Sequence, residues 1–197
     1  LLQSYDYITA MAQLNNQRPR LGMITIGGQH AGLFSTLEAG IFKKSVHAVI
    51  LDRGPLWFDG YETPQNIATF MDSLSRHYPR RFGRKMRFIP EYPDAQIYRN
   101  MMQQHGFKSM TRDGYQTIWL DTRPDPDYIR ANMGKKWRNA LSKAEKSGLK
   151  TIISDDGEHL AWLLQNYVQD KEQKNYDGAS LRTLMKLFAS FSRGKNM

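Results

Sequence analysis

A Gly27-Gly28 pair stands between two short apolar runs, Leu21–Ile26 and Ala31–Leu37. Two glycines can both take positive φ, which a two-residue turn between antiparallel strands requires, so this stretch predicts a β-hairpin rather than a phosphate cradle. A third strand is expected at Val46–Leu51. The apolar spacing of Tyr7, Ile8, Met11 and Leu14 predicts a preceding helix over Ser4–Leu14, with Pro19 ending it. Downstream, Thr63 and Pro64 form a cap and first-turn pair, and Ile67, Phe70, Met71 and Leu74 give the helix they open one apolar face, to a stop near Pro79. A strand over Lys85–Ile89 ends at Pro90. A helix carrying Ile97, Met101 and Met102 closes at His105-Gly106. Phe107–Met110 and Tyr115–Leu120 flank Arg112-Asp113-Gly114 and predict a second hairpin. The resulting order, α-β-β-β-α-β-α-β-β, is that of an α/β protein with a mixed sheet covered by helices. No strand leads into Gly-x-Gly-x-x-Gly, so a dinucleotide fold is excluded.

Past Asp121 the pattern changes. Pro124 and Pro126 mark a linker, and Asp125 or Asp127 can cap a long helix reaching about Ser147. Met133, Trp137, Leu141 and Ala144 would be its buried side, with Trp137→Ala then costing several kcal/mol. Lys135, Lys136, Arg138, Lys143 and Lys146 cover the rest, with the three lysines 136, 143 and 146 exposed. A short strand, Leu149–Ser154, and helices over Glu158–Lys174 and Ser180–Phe191 follow. One strand and two helices close no core by themselves. The expected division is therefore a first domain at 1–121, a linker and basic helix at 122–148, and the incomplete start of a second domain at 149–197.

Composition narrows the functions. In 197 residues, 40% hydrophobic and 12% aromatic content rules out wholesale disorder. There is no run of eighteen apolar residues to span a membrane, and the first residues lack the regions of a signal peptide, so the expected location is cytoplasmic. The absence of cysteine excludes disulfides, a Cys-ligated zinc and a Cys nucleophile. Histidines 30, 47, 77, 105 and 159 have no metal-ligand spacing, so no metal is expected. Gly-x-Ser-x-Gly and Walker-type loops are absent. The net charge of +9 favours anionic partners.

Three places could carry chemistry. Arg53-Gly54-Pro55 follows a strong strand and puts Arg53 at its C-terminal end, where α/β sheets bind ligands; the alternative is a plain turn with Trp57 in the core. Glu91, Tyr92 and Asp94 occupy the equivalent place after Pro90. A carboxylate there could act as a general base towards an amine; alternatively the segment is a solvated loop with Asp94 as a helix cap. Arg76–Arg87 holds six basic residues and no acid, and Lys135–Lys150 has Glu145 as its only acid. Such runs, with Tyr78, Phe82 and Trp137 nearby, suit phosphates, or else are solvated faces.

Arg53-Gly54-Pro55, Arg87-Phe88-Ile89-Pro90-Glu91, His105-Gly106-Phe107, Thr117-Ile118-Trp119-Leu120-Asp121 and the segment Lys136–Gly148, in this order and spacing, resemble the bacterial FemAB/FemX peptidyltransferase family. The resemblance implies two tandem GNAT-type acyltransferase domains, the first complete here and the second only begun, so that these residues alone would be inactive. It implies transfer of an acyl group from aminoacyl-tRNA or acyl-CoA to an amine acceptor such as a peptidoglycan precursor, with no permanently bound cofactor. Tyr92 and Asp94 are then the catalytic candidates. Arg53, Glu91, Lys136, Arg138 and Lys143 are the substrate-binding ones. The chain departs from the family in two respects. Ser4–Leu14 carries no Lys or Arg, where some relatives grip the precursor's phosphate with a Lys. The acyl-CoA pyrophosphate loop is missing, since Arg81-Phe82-Gly83-Arg84 does not fit it. A basic nucleic-acid-binding module without catalysis is the alternative, although no helix-turn-helix, zinc or RNP signature is present.

Overall fold

The computed structural model describes residues 2–41, 45–110, 120–153 and 157–192. Helix α1 (Tyr5–Leu14) starts at Ser4, whose Oγ accepts the Tyr7 N–H at 3.3 Å. It ends at Asn15, because Asn16 turns the chain with φ of 51°. Pro19 is not the stop expected of it. It lies inside strand β1 (Arg18–Ile26), an edge strand, where a residue without an N–H is tolerated. Gly27 and Gly28, at φ of 56° and 82°, join β1 to β2 (Gln29–Ile41) with Ile26 facing Gln29, the two-residue hairpin that their sequence predicts.

Strand β2 is the hub. It pairs antiparallel with β1, with β3 (Val46–Asp52) and with the two-residue β4 (Leu56–Trp57). Strand β5 (Arg84–Ile89) adds parallel to β3, giving a mixed five-stranded sheet in the order β1-β2-β3-β5 with β4 also on β2. The β4 segment is too short to show a period in sequence.

Alternation along β3 sorts the two faces. His47, Val49 and Leu51 are buried, whereas Ala48, Ile50 and Asp52 are half-buried. Val49 and Leu51 join Ile67, Phe70, Met71 and Leu74 of α2 (Pro64–His77) and Met101 of α3 (Gln96–Gln104) in the main core. Thr63 caps α2 and Pro64 opens it. On the opposite face, Ile8, Met11 and Ala12 of α1 pack over Leu37 and Ile50. The sheet is thus covered by α1 on one side and by α2 and α3 on the other.

By packing, Leu1–Lys108 with His159–Met197 form one compact unit, and Ser109–Glu158 form another. The first unit also contains α6 (Leu160–Lys174) and α7 (Leu181–Ser192), and α7 packs against α1.

Several expectations need correction. Phe107–Met110 forms no strand; Phe107 instead packs its ring on Phe88 at 5.8 Å. Of its expected partner, residues 115–119 lie outside the described residues. The long helix is two helices, α4 (Pro126–Asn132) and α5 (Lys135–Lys146). Met133 is extended there and Gly134, a poor helix former, becomes the cap of α5. Arg130 of α4 pairs with Glu145 of α5 and holds the two side by side. The buried face read for α5 does not form. Trp137 is 74% exposed and no residue of α5 is buried, while Lys136, Lys143 and Lys146 are exposed as expected. Leu149–Ile153 is irregular rather than a strand, with Ile153 94% exposed; Ser154 lies outside the described residues.

These burial differences set the expected response to truncation. Met71→Ala, which empties a fully buried core site, should cost about 2–5 kcal/mol in thermal or denaturant unfolding. Trp137→Ala should stay within about 0.5 kcal/mol, the range for a surface position.

Candidate functional site

The parallel strands β3 and β5 end side by side, and the chain turns sharply after each. Arg53 continues the ladder by donating its N–H to the Ile89 carbonyl at 2.8 Å. It does so at φ of 53°, the left-handed region that non-glycine residues seldom occupy. A cis Gly54-Pro55 bond follows. The Arg53 guanidinium donates from Nη1 to Glu91 Oε1 at 2.8 Å. Arg53 and Glu91, chosen from sequence as substrate-binding residues, are therefore brought together across the two strand ends.

Tyr92 follows directly. Its hydroxyl oxygen accepts the Trp57 indole N–H at 3.3 Å, and its ring stacks on Tyr98 at 5.1 Å with 20° between planes. Burial pushes the Tyr92 phenol up to about 12, assisted by the nearby Glu62 and Tyr98 and partly offset by the Trp57 bond, which favours the phenolate. At neutral pH Tyr92 is a protonated phenol: a hydrogen-bond donor, not a base. Asp94 is different. It is well exposed and closed on Arg99, which donates from Nε to Oδ1 at 2.6 Å and from Nη2 to Oδ2 at 2.5 Å. That pairing holds its carboxyl below the usual value and makes it a weaker proton acceptor. Asp94 is also not the cap of α3, since Ala95 occupies that position without a side-chain bond.

One organising residue escapes sequence reading. Beyond the Leu37–Ile50 pair, β2 and β3 are no longer paired. The Gln3 carboxamide sits in the gap: its Oε1 accepts the Ser35 N–H at 2.5 Å and the Ser35 hydroxyl at 2.9 Å, and its Nε2 donates to the Asp52 carbonyl. Gln3 is buried, and a Cβ on Gly54 would stand 2.8 Å from its Cδ. A lone polar residue ahead of a helix gives no periodic signal, so nothing local could have found it.

The remaining candidates belong to the second compact unit. Lys136 and Lys143 are exposed on α5. Arg138 is engaged structurally: its Nη1 donates to the Ala131 carbonyl at 2.9 Å and to that of Met133, closing the end of α4. Among the described residues no group of three His, Asp or Glu side chains could hold a metal ion, and no helix is long and apolar enough to cross a membrane.

No known family matches the sequence, and no curated protein resembles it at the sequence level. A solved structure does resemble the fold. The crystal structure of FemX superposes with a TM-score of 0.68 over 96% of this chain at 14% identity. The chain has a FemX-like fold, and it spans about half of the FemX chain, 49% of its length.

The protonation state of Tyr92 can be read directly. Tyrosinate absorbance, taken as the difference between the native protein and Tyr92→Phe, should show a phenol that titrates near 12 rather than at 10.0. Between those values the unfolded state has lost the proton and the folded state keeps it. Stability contributed by this group should therefore fall with rising pH, by at most about 1.4 kcal/mol per unit. A midpoint at the free value would mean Tyr92 is open to water.

Proposed function

We propose that the chain belongs to a Fem-type transferase that moves an aminoacyl or acyl group onto an amine of a cell-wall precursor. The observation that carries this reading is the FemX-like fold, with Arg53, Glu91 and Tyr92 gathered at the ends of its two parallel strands. In this reading the fold is GNAT-type and the donor is aminoacyl-tRNA, with acyl-CoA as the less suited alternative because the pyrophosphate loop is missing. The amine nitrogen attacks the ester carbonyl. A C–N bond forms, the C–O bond to the ribose breaks, and the amine's proton ends on the leaving hydroxyl or in solvent.

The residues would divide the work as follows. The Tyr92 phenol, kept protonated by its burial, donates a hydrogen bond to the developing oxyanion. Arg53, oriented by Glu91, holds an anionic group of the acceptor. Asp94 must leave Arg99 before it can take a proton, which gives it a lesser part. Lys136 and Lys143 attract the donor's phosphates, and the exposed Trp137 offers a ring for a base to stack on, which favours a nucleic-acid donor. A nucleic-acid-binding protein without transferase activity is the second reading, and the same exposed Trp137 among lysines supports it.

The two readings separate in one assay on the full-length polypeptide, with aminoacyl-tRNA or acyl-CoA as donor and a UDP-linked muropeptide as acceptor, the amide product being followed by mass spectrometry. Transfer should be seen with aminoacyl-tRNA. Tyr92→Phe should lower kcat by about 100-fold or more, the usual loss for one oxyanion donor. Arg53→Ala should mainly raise KM, and Asp94→Asn should have little effect. Binding of every polyanion alike with no amide formed would leave only the nucleic-acid reading. In either case Lys136→Ala or Lys143→Ala should reduce the slope of log affinity against log salt by about 1.

A further inference from the structure

The face of the sheet turned towards α1 carries a groove of about 320 Å³ that none of the proposed transferase residues lines. This is the size at which small-molecule sites begin. Its apolar part is Leu37, Ile50 and Met11, with Leu2 and Ile8 beside them. Its charged part comes from two neighbouring parallel strands. Arg87 of β5 stands opposite Ile50 of β3, and Asp52 is two residues further along β3 on the same face. The two side chains do not pair with each other, and neither forms an ion pair or side-chain hydrogen bond with any other described residue. The Gln3 carboxamide, fixed by Ser35 and by the Asp52 carbonyl, closes one end.

An apolar floor beside a cation and an anion that have no side-chain partner among the described residues is complementary to one kind of molecule. We propose that this groove binds a small zwitterion with an apolar body, an amino acid or dipeptide with free ammonium and carboxylate groups. Arg87 receives the carboxylate in a two-pronged hydrogen bond, Asp52 receives the ammonium, and the aliphatic side chain lies on Leu37, Ile50 and Met11. A simple anion would meet Asp52 as a repulsive neighbour, and a simple amine would meet Arg87 likewise. The proposal stands on the opposite face of the sheet from Tyr92 and does not rest on the transferase reading.

Leucyl-leucine is a suitable probe, titrated by calorimetry and by amide chemical shifts. Saturable binding should shift the signals of Leu37, Ile50 and Arg87. N-acetylation or C-terminal amidation of the probe should each weaken it about tenfold or more, the worth of one charged hydrogen bond. Arg87→Gln, at an exposed position, should weaken the free dipeptide by a similar factor and remove the distinction between acid and amide. Asp52→Asn should do the same for the distinction between free and acetylated amine. If that variant does not fold, the acetylated probe on the native protein carries the same comparison. Absence of saturation, or equal binding of the acetylated and amidated probes, overturns the proposal.

Discussion

Strand β2 has to satisfy three neighbours along thirteen residues, and most of the architecture follows from how it does so. It pairs with β1 along nearly its whole length. On the other side it pairs with β3 only over Leu37–Ile41, and with β4 only at Gly32 and Leu33. Gly32 is needed because a Cβ there would run into the Leu56 carbonyl of β4. Between these two contacts, at Ser35, β2 lacks a strand partner on that side. Buried backbone groups without partners are costly, and the Gln3 carboxamide supplies what a neighbouring strand would have supplied. The same carboxamide ties the chain ahead of α1 to the end of β3. The opening in the sheet and its closure by one side chain therefore set both the turn at Arg53-Gly54 and the floor of the groove beneath α1.

A second buried device fixes the other end of the sheet. Glu38 and His47, at 4% and 3% exposure, face α2 from β2 and β3. The Tyr78 hydroxyl donates to Glu38 Oε1 at 2.6 Å. Arg84 Nε donates to His47 Nδ1 at 3.2 Å, which puts the imidazole proton on Nε2, 3.4 Å from Glu38 Oε2. Arg20 of β1 reaches the same carboxylate at 3.5 Å. Burial first, and the Glu38 bond second, raise the Tyr78 phenol, so it remains a donor. Burying such a network costs desolvation and adds little net stability compared with apolar packing. What it does supply is register, since a one-residue slip of β3 on β2 would separate His47 from Glu38.

What could be read from the sequence is what is local. Thr63-Pro64 and the apolar spacing that follows specify α2 by neighbours within one or two turns, and Gly27-Gly28 specify a turn by their own backbone freedom. The placement of Arg53 at a strand end was legible for the same reason. Where the structure differs, the outcome is decided by the neighbouring element rather than by the residue's own. Trp137 falls in a helical apolar stripe, but a stripe marks a buried face only where something packs on it. Arg138 stands among the substrate-binding candidates in sequence, yet the break at Gly134 leaves carbonyls at the end of α4, and its guanidinium is drawn to them. Asp94 has the position of a general base, a carboxylate just past a strand end, while the partner that lowers its basicity, Arg99, lies five residues on in the helix.

The strained backbone at Arg53 gives the strand-end site its directional character. A non-glycine residue at φ of 53° costs on the order of 1–3 kcal/mol and persists only where its surroundings hold it. Here the anchors are independent of one another: the N–H is tied to Ile89, the guanidinium to Glu91, and the next residue, Gly54, is seated against Gln3. An Arg in ordinary extended geometry would continue β3 and point its side chain out from one face of the sheet. In the left-handed geometry the backbone still reaches Ile89 while the side chain turns across to the loop that follows β5. The strain thus brings a cation from one strand into reach of the carboxylate that precedes the phenol-bearing residue of the other, with one backbone bond to Ile89 and one side-chain pair to Glu91 joining the two ends.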